Sequence, residues 1–188
     1  MPDMPTFPPS ITLSPKSSIN KELAVPGSKS LTNRAFIVAA LADGISTLRG
    51  SLIAEDSEVM IRALNQLGIR VEEDGTNFKV HGQAGKIPAP FAELDLRLSG
   101  TSIRFLAAMV ATGQGHYRLD GNERMRQRPI QDLLSALTQL GVKAQTELET
   151  GCPPLMIEAS GLPGGETSVA GDSSSQYLSG LLMAAPYA

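Results

Sequence analysis

The chain repeats itself. ALNQLGIRV begins at Ala63 and ALTQLGVKA begins at Ala136, which sets Gly68 and Gly141 73 residues apart. The upstream parts follow the same order. LAVPGSKSLTNRAFIVAALADG and LDLRLSGTSIRFLAAMVATG each read as a strand, a serine-bearing turn and an apolar helix. A third copy, ETSVAGDSSSQYLSGLLMAAP, opens at Glu166. Self-similarity at a fixed period makes each copy one supersecondary unit that buries its apolar face against its neighbours. The predicted fold class is therefore α/β, a domain with pseudo-threefold repetition, in which helices pack on several small sheets.

Each complete unit is predicted as strand, turn, helix, strand, helix and one or two strands. In the first, Leu31, Ala35, Val38, Ala39 and Ala42 fall on one helix face. STLRG is a short strand, Asp56 a helix cap, and Val59, Met60, Ala63, Leu64 and Leu67 a second apolar stripe. Gly68 suits the residue after a helix end, and Asp74-Gly75 signals a hairpin between IRVEE and NFKVH. In the second unit Arg128-Pro129 opens the next helix, with proline first, and Leu133, Leu134, Leu137 and Leu140 form its inner face. The third unit breaks off at Pro186-Tyr187-Ala188, so the chain is expected to be part of a longer protein.

Composition excludes several classes. A net charge of -3 gives no general reason for nucleic-acid binding. The single cysteine, Cys152, rules out an internal disulfide framework and suits a reducing compartment. The start, MPDMPTFPPS, lacks a basic region and an apolar run, and no stretch approaches the length of a membrane span. These features point to a cytoplasmic protein without a membrane partner. His81 and His116 lack metal-ligand spacing, and Cys152 has no nearby base, so no metal site and no cysteine chemistry are expected.

The three turns carry the candidate chemistry. Each ends a strand and starts a helix, where unpaired N–H groups and a partial positive charge favour anions. Ser30, Ser102 and Ser175 are explained singly as helix caps. Together with Lys29 and Arg34, with Gly100, Thr101 and Arg104, and with Ser173, Ser174 and Gln176, they suit an oxyanion better. GSKS is not a nucleoside-triphosphate loop, because Ser28 separates Gly27 from Lys29 and Glu22 stands where a glycine is required. In GNERMRQRPIQDLL the alternating Arg124, Arg126 and Arg128 read either as a solvated loop or as an arginine, Arg124, reaching a carboxylate or phosphate.

Four ordered motifs, PGSKSLTNR, GTSIR, RMRQRPI and SSQYLSGLLMAAP, together resemble the EPSP synthase family over Leu23 to Ala188. The resemblance implies two similar domains of the enolpyruvyl transferase type, each built of three βαβαββ units around a shared cleft. Residues 1–22 would then begin in the opposite domain, and residues 23–188 would form the first, substrate-binding domain. The third unit would be incomplete and the second domain absent. The implied reaction transfers the enolpyruvyl group of phosphoenolpyruvate to the 5-hydroxyl of shikimate 3-phosphate and releases phosphate. This is a step of aromatic amino-acid biosynthesis and the target of glyphosate. No metal or organic cofactor is implied.

Roles follow from the same resemblance. Lys29 would touch both substrates near the forming bond, as the catalytic residue of this half. Ser30, Arg34, Ser174, Ser175 and Gln176 would hold shikimate 3-phosphate. Gly100, Arg124 and Gln176 would hold phosphoenolpyruvate, together with Lys29, while Thr101 and Arg104 shape the turn. Two positions depart from the family pattern: Leu98-Ser99 precedes Gly100 where an asparagine is usual, and Phe105 replaces a common proline. The acid–base groups of the reaction would lie in the second domain, so the chain alone is expected to be inactive. Two other readings stand beside this one: a phosphate-ligand binding module without chemistry, and an enolpyruvyl transferase acting on a UDP-sugar.

Overall fold

A computed structural model describes residues 8–170, 172 and 174–188. Its elements confirm the α/β repeat. The first unit contains α1 (Lys29–Leu41), β1 (Asp43–Leu48), α2 (Glu55–Gln66), β2 (Val71–Asp74) and β3 (Asn77–Gln83). The second contains β4 (Phe91–Asp95), α3 (Gly100–Val110), β5 (Gln114–Asp120), a single 3-10 turn at Met125–Gln127, α4 (Gln131–Gln139), β6 (Lys143–Thr146) and β7 (Leu155–Ser160). The third contributes α5 (Ser175–Ala184).

Each unit makes its own sheet. The first is antiparallel in the order β1-β3-β2, with Asp74 paired to Asn77 across the expected hairpin. The second runs β4-β5-β7-β6, with β4 parallel to β5 and the remaining pairs antiparallel. The helices join them. Along α3, every residue except Thr101 and Arg104 is buried. It packs against α1, α2, α4 and α5, so both sheets share one apolar core. A helix enclosed on nearly all sides needs apolar residues nearly all round, and GTSIRFLAAMV supplies them.

Several expectations are corrected. The first unit has no strand before its helix, because Leu23 and Val25 are exposed and Lys21 to Ser28 pair with nothing as a strand. No strand forms from Glu166 to Ala170 either. The buried residues of α1 are Thr32, Asn33, Phe36, Ile37, Ala39, Ala40 and Leu41, so of the expected face only Ala39 is buried. Leu31 and Val38 point outward, 68% and 53% exposed. The apolar count on α1 is high on both sides, so periodicity places the inner face partly wrongly, while Phe36 locks the true one by edge-to-face packing on Phe78. Helix α2 is capped at Ala54, whose N–H donates to Ser57 Oγ, and Asp56 lies one turn-step inside. Helix α4 starts at Gln131 rather than Pro129. The Pro129 carbonyl instead accepts from the buried Tyr177 hydroxyl at 2.6 Å, which ties the start of α4 to α5.

The candidate active site

Three helices begin close together, and each is capped by a serine. The capping serines are not the ones that the repeat spacing selects. Ser28 accepts from Leu31 N–H, Ser99 from Ser102 N–H, and Ser174 from Gln176 N–H. Ser30, Ser102 and Ser175 lie inside the helices, so their capping assignment is wrong. The true caps leave Lys29 on α1 and Ser175 on α5 exposed at the first helical position, with Thr101 on α3 and Gln176 on α5 partly exposed and Gly100 buried.

Lys29, Gly100 and Gln176 line one cleft of about 270 Å³. Lys29 reaches across it to Asp56, with Nζ 3.0 Å from Oδ2. The other oxygen of Asp56 accepts from the Ser99 hydroxyl, and Ser102 Oγ lies 2.7 Å from Ser99 Oγ. One carboxylate near the start of α2 therefore holds the starts of α1 and α3 in place. Gln176 is fixed at both ends of its amide. Arg104 Nη1 donates to its Oε1 at 2.8 Å, and its Nε2 donates to Thr101 Oγ1 at 3.2 Å. Arg104 also lies over the Tyr177 ring, 5.3 Å from the centroid. Pre-set side chains such as these lose little freedom on binding.

The remaining candidates lie around the cleft and do not line it. Arg34 bonds the Ser30 hydroxyl and carbonyl one turn back, reaches Ser179 Oγ on α5 at 3.1 Å, and stacks 5.0 Å from the Phe105 ring. Ser174 is the cap of α5, and Ser175 is exposed at its first position. Ser173 lies outside the described residues. Arg124 is exposed ahead of the 3-10 turn and does not line the cleft.

The arginine run divides its labour. Arg126 pairs with Asp120 through two hydrogen bonds of 3.0 and 2.7 Å, and Arg118 joins the same carboxylate at 3.2 Å. Burial pushes the Asp120 carboxyl upward. The hydrogen bond from Arg126, the Gly121 N–H and both guanidinium charges outweigh it, leaving the pKa below the ordinary aspartate value. This cluster braces β5.

Two residues of the cleft, and one buried polar residue of α1, were not legible in the sequence. Asp56 looks like any acidic residue at a helix start, and its partners are 27 and 43 residues away. Arg128 lines the cleft, yet nothing in an alternating run distinguishes it from Arg124. Asn33 looks like an ordinary polar helix residue, but its side chain is buried with neither amide atom paired. It follows Lys29 by one helical turn, and such groups in folded proteins call for a functional or structural reason.

Among the described residues no group of three His, Cys, Asp or Glu could hold a metal ion. No helix of the described residues is long and apolar enough to cross a membrane. His81 bonds Glu72 at 2.7 Å within the first sheet, in keeping with a structural role.

Comparison with known proteins adds a separate line of observation. The family model for EPSP synthase (3-phosphoshikimate 1-carboxyvinyltransferase) matches residues 13–188. A 3-phosphoshikimate 1-carboxyvinyltransferase of Marinomonas sp. is 44% identical over 181 residues, covering 95% of this chain and 43% of the relative. One of Trichormus variabilis is 45% identical over 172 residues, covering 90% and 40%. A solved EPSP synthase of Acinetobacter baumannii superposes with a TM-score of 0.80 at 29% identity, over 88% of this chain and 38% of that one. The chain thus spans about two-fifths of the length of these relatives.

Proposed function

The chain belongs to the EPSP synthase family, and on that premise we propose that its cleft is the first-domain half of an enolpyruvyl-transfer site. The reaction joins the 5-hydroxyl oxygen of shikimate 3-phosphate to C2 of phosphoenolpyruvate. A tetrahedral intermediate forms and then expels phosphate. Residues 23–188 are read as the substrate-facing domain and residues 1–22 as the segment entering from the opposite one.

One observation carries the reading: Lys29, Gly100 and Gln176, assigned from three different motifs, converge on a single cleft. The chemistry suits them. Both substrates are anions, and the cleft wall carries Lys29, Arg104 and Arg128 against Glu55 and Asp56. A lysine already held by Asp56 is oriented toward the cleft before substrate arrives. Charge placed in advance of the reaction stabilises developing negative charge without reorganisation. The amide of Gln176, held by Arg104 and Thr101, offers a fixed polar surface to a substrate ring. Arg34, Ser30, Ser174 and Ser175 would hold shikimate 3-phosphate at the α1–α5 side, and Arg124 would turn inward to phosphoenolpyruvate when the site is filled.

Calorimetry of the chain with shikimate 3-phosphate tests the binding half. Saturable binding that weakens about tenfold or more in Lys29→Met is expected, on the usual scale for losing a charge-assisted contact. Activity is measured as phosphate release by a protein of the relatives' length carrying these residues. There Lys29→Met should lower turnover about a hundredfold, as for removal of one charge-stabilising donor. Unchanged turnover would defeat the assignment of Lys29.

A further inference from the structure

The arginines of the fold are supported in two different ways. Arg70, Arg97, Arg118 and Arg126 pair with the carboxylates of Glu72, Glu55, Asp120 and Glu147. Arg104 at the cleft and Arg34 beside it have no carboxylate partner among the described residues. Each lies instead on an aromatic ring. Arg34 Cζ is 5.0 Å from the centroid of Phe105, and Arg104 Cζ is 5.3 Å from that of Tyr177. Both rings are buried. The hydrogen bonds of these two guanidinium groups go to neutral partners, Ser30 and Ser179 for Arg34 and Gln176 for Arg104.

The two supports differ electrostatically. A carboxylate orients a guanidinium and also cancels its charge, so an incoming anion must compete with it. The negative face of an aromatic ring attracts the same cation but leaves its net charge and N–H fork for another partner. A fork held still before the anion arrives also loses less freedom on binding.

Phe105 does this from a fixed base, since it belongs to the enclosed helix α3. Helix α5 closes on that point at Gly180, where a Cβ would lie 3.2 Å from the Arg104 carbonyl oxygen and 3.8 Å from Phe105 Cα. Arg34 is thus held from three helices. Ser30 holds it from one turn back on α1, the Phe105 ring from α3, and Ser179 from α5. The Ser179 hydroxyl in turn donates to the Ser175 carbonyl at 3.0 Å. Phe105 is also a position at which the chain departs from the family pattern. A proline or aliphatic side chain there would offer Arg34 no negative face.

On the reading that Arg34 holds shikimate 3-phosphate, we propose that Phe105 is the positioning residue of that arginine. Its ring seats the guanidinium without neutralising it, and so raises the affinity of the site for the anionic acceptor and not for the donor.

Calorimetric titration of the chain with shikimate 3-phosphate tests it. A multiply fluorinated phenylalanine, placed at Phe105 alone, keeps nearly the same shape and removes the negative face. It should weaken the acceptor about threefold or more, on the usual scale of a cation held over a ring. Phe105→Leu, which fills much of the volume without a π-face, should weaken it at least as much. Arg34→Gln sets the scale, with a loss of about tenfold or more. In a protein of the relatives' length carrying these residues, both Phe105 changes should raise KM for shikimate 3-phosphate about threefold or more. Turnover and the KM for phosphoenolpyruvate should change less than about twofold. This comparison carries the test if the chain alone binds too weakly to titrate. Thermal unfolding identifies folded variants, and the fluorinated ring carries the measurement if Phe105→Leu does not fold. Native acceptor affinity with the fluorinated ring would overturn the role of Phe105 alone. A fall in turnover at unchanged KM would make Phe105 structural and overturn it likewise. Native affinity in Arg34→Gln would instead remove the assignment of Arg34 to the acceptor, and this inference with it.

Discussion

The two complete units share an element order and differ at one edge. Helices α1 and α3 start 71 residues apart, as do β1 and β5. By that offset Leu23 and Val25 correspond to Leu94 and Leu96. In the second unit these are buried, 2% and 0% exposed, and Leu94 lies in β4 against β5. In the first they are 82% and 84% exposed, and β1 keeps an open edge. The apolar alternation is present in both, so alternation alone does not make a strand. The difference lies in the receiving edge. The Tyr117 hydroxyl, on β5, donates to the Ala89 carbonyl at 3.0 Å, and His116 N–H donates to the Pro90 carbonyl. Gly115 lets Pro90 approach, since a side chain there would sit 2.2 Å from the Pro90 carbonyl oxygen. The residue of β1 at the place of Tyr117 is Ser46, too short to make that tether. A strand edge without such a partner is open to pairing with another segment.

This comparison is broken most severely by giving the second unit the residue of the first. Tyr117→Ser removes a fully buried ring and should cost about 3–5 kcal/mol, the range for large-to-small aromatic changes. Urea unfolding measures it, and hydrogen exchange should show the β4 amides losing protection first. The next test is the pair of equivalent leucines. Leu94→Ala should cost about 2–5 kcal/mol, and Leu23→Ala less than about 0.5 kcal/mol, as for an exposed site. Equal costs would mean that residues 20–24 pair with β1 in solution and that the two units are alike.

A smaller effect separates what the units share. Each passes the chain entering its helix tightly against the chain leaving its strand. The close point is Gly27 in the first unit, where a Cβ would lie 2.4 Å from the Gly50 carbonyl oxygen. It is Gly121 in the second, at 2.2 Å from the Arg97 carbonyl oxygen. Backbone does not yield as a side chain does, so Gly27→Ala and Gly121→Ala should each cost about 1–3 kcal/mol, measured as a fall in urea midpoint. Gly100→Ala meets only a flexible side-chain end, and its fall in midpoint should be the smallest of the three.

Acid sensitivity gives the finest distinction. The Asp120 carboxyl of the second unit is held below its ordinary value. Its stabilisation is therefore complete above the unfolded value of about 3.9 and is lost as pH falls through the lower folded value. Asp120→Asn should flatten the acid limb of a stability–pH curve. Glu72 of the first unit is also lowered, chiefly by its hydrogen bond from His81, but it is solvent-screened. Glu72→Gln should flatten the curve less.

Much of the architecture is readable from residue patterns. The ALxQLG pair locates α2, α4 and the glycines behind them, and Gly68 and Gly141 both adopt positive φ, 83° and 87°. The hairpin at Asp74-Gly75 follows from local turn chemistry. Errors concentrate where a residue's role depends on a distant neighbour. Ser28, Ser99 and Ser174 cap the helices, while the period pointed to serines one or more positions later. That choice depends on which residue first adopts helical backbone, and several adjacent serines satisfy the same pattern.

The sequence by itself determined the repeat, the α/β class, the family and the three serine-rich helix starts, because these rest on local periodicity and contiguous motifs. Only the tertiary structure decided which side chains share the cleft. Asp56 joins the starts of α1 and α3 from across the fold, Arg128 and not Arg124 lies over Gly100, and Leu23 stays exposed where Leu94 is buried. Each is a relation between residues that are tens of positions apart. Such relations depend on helix phase, strand edges and available volume, which no local pattern encodes.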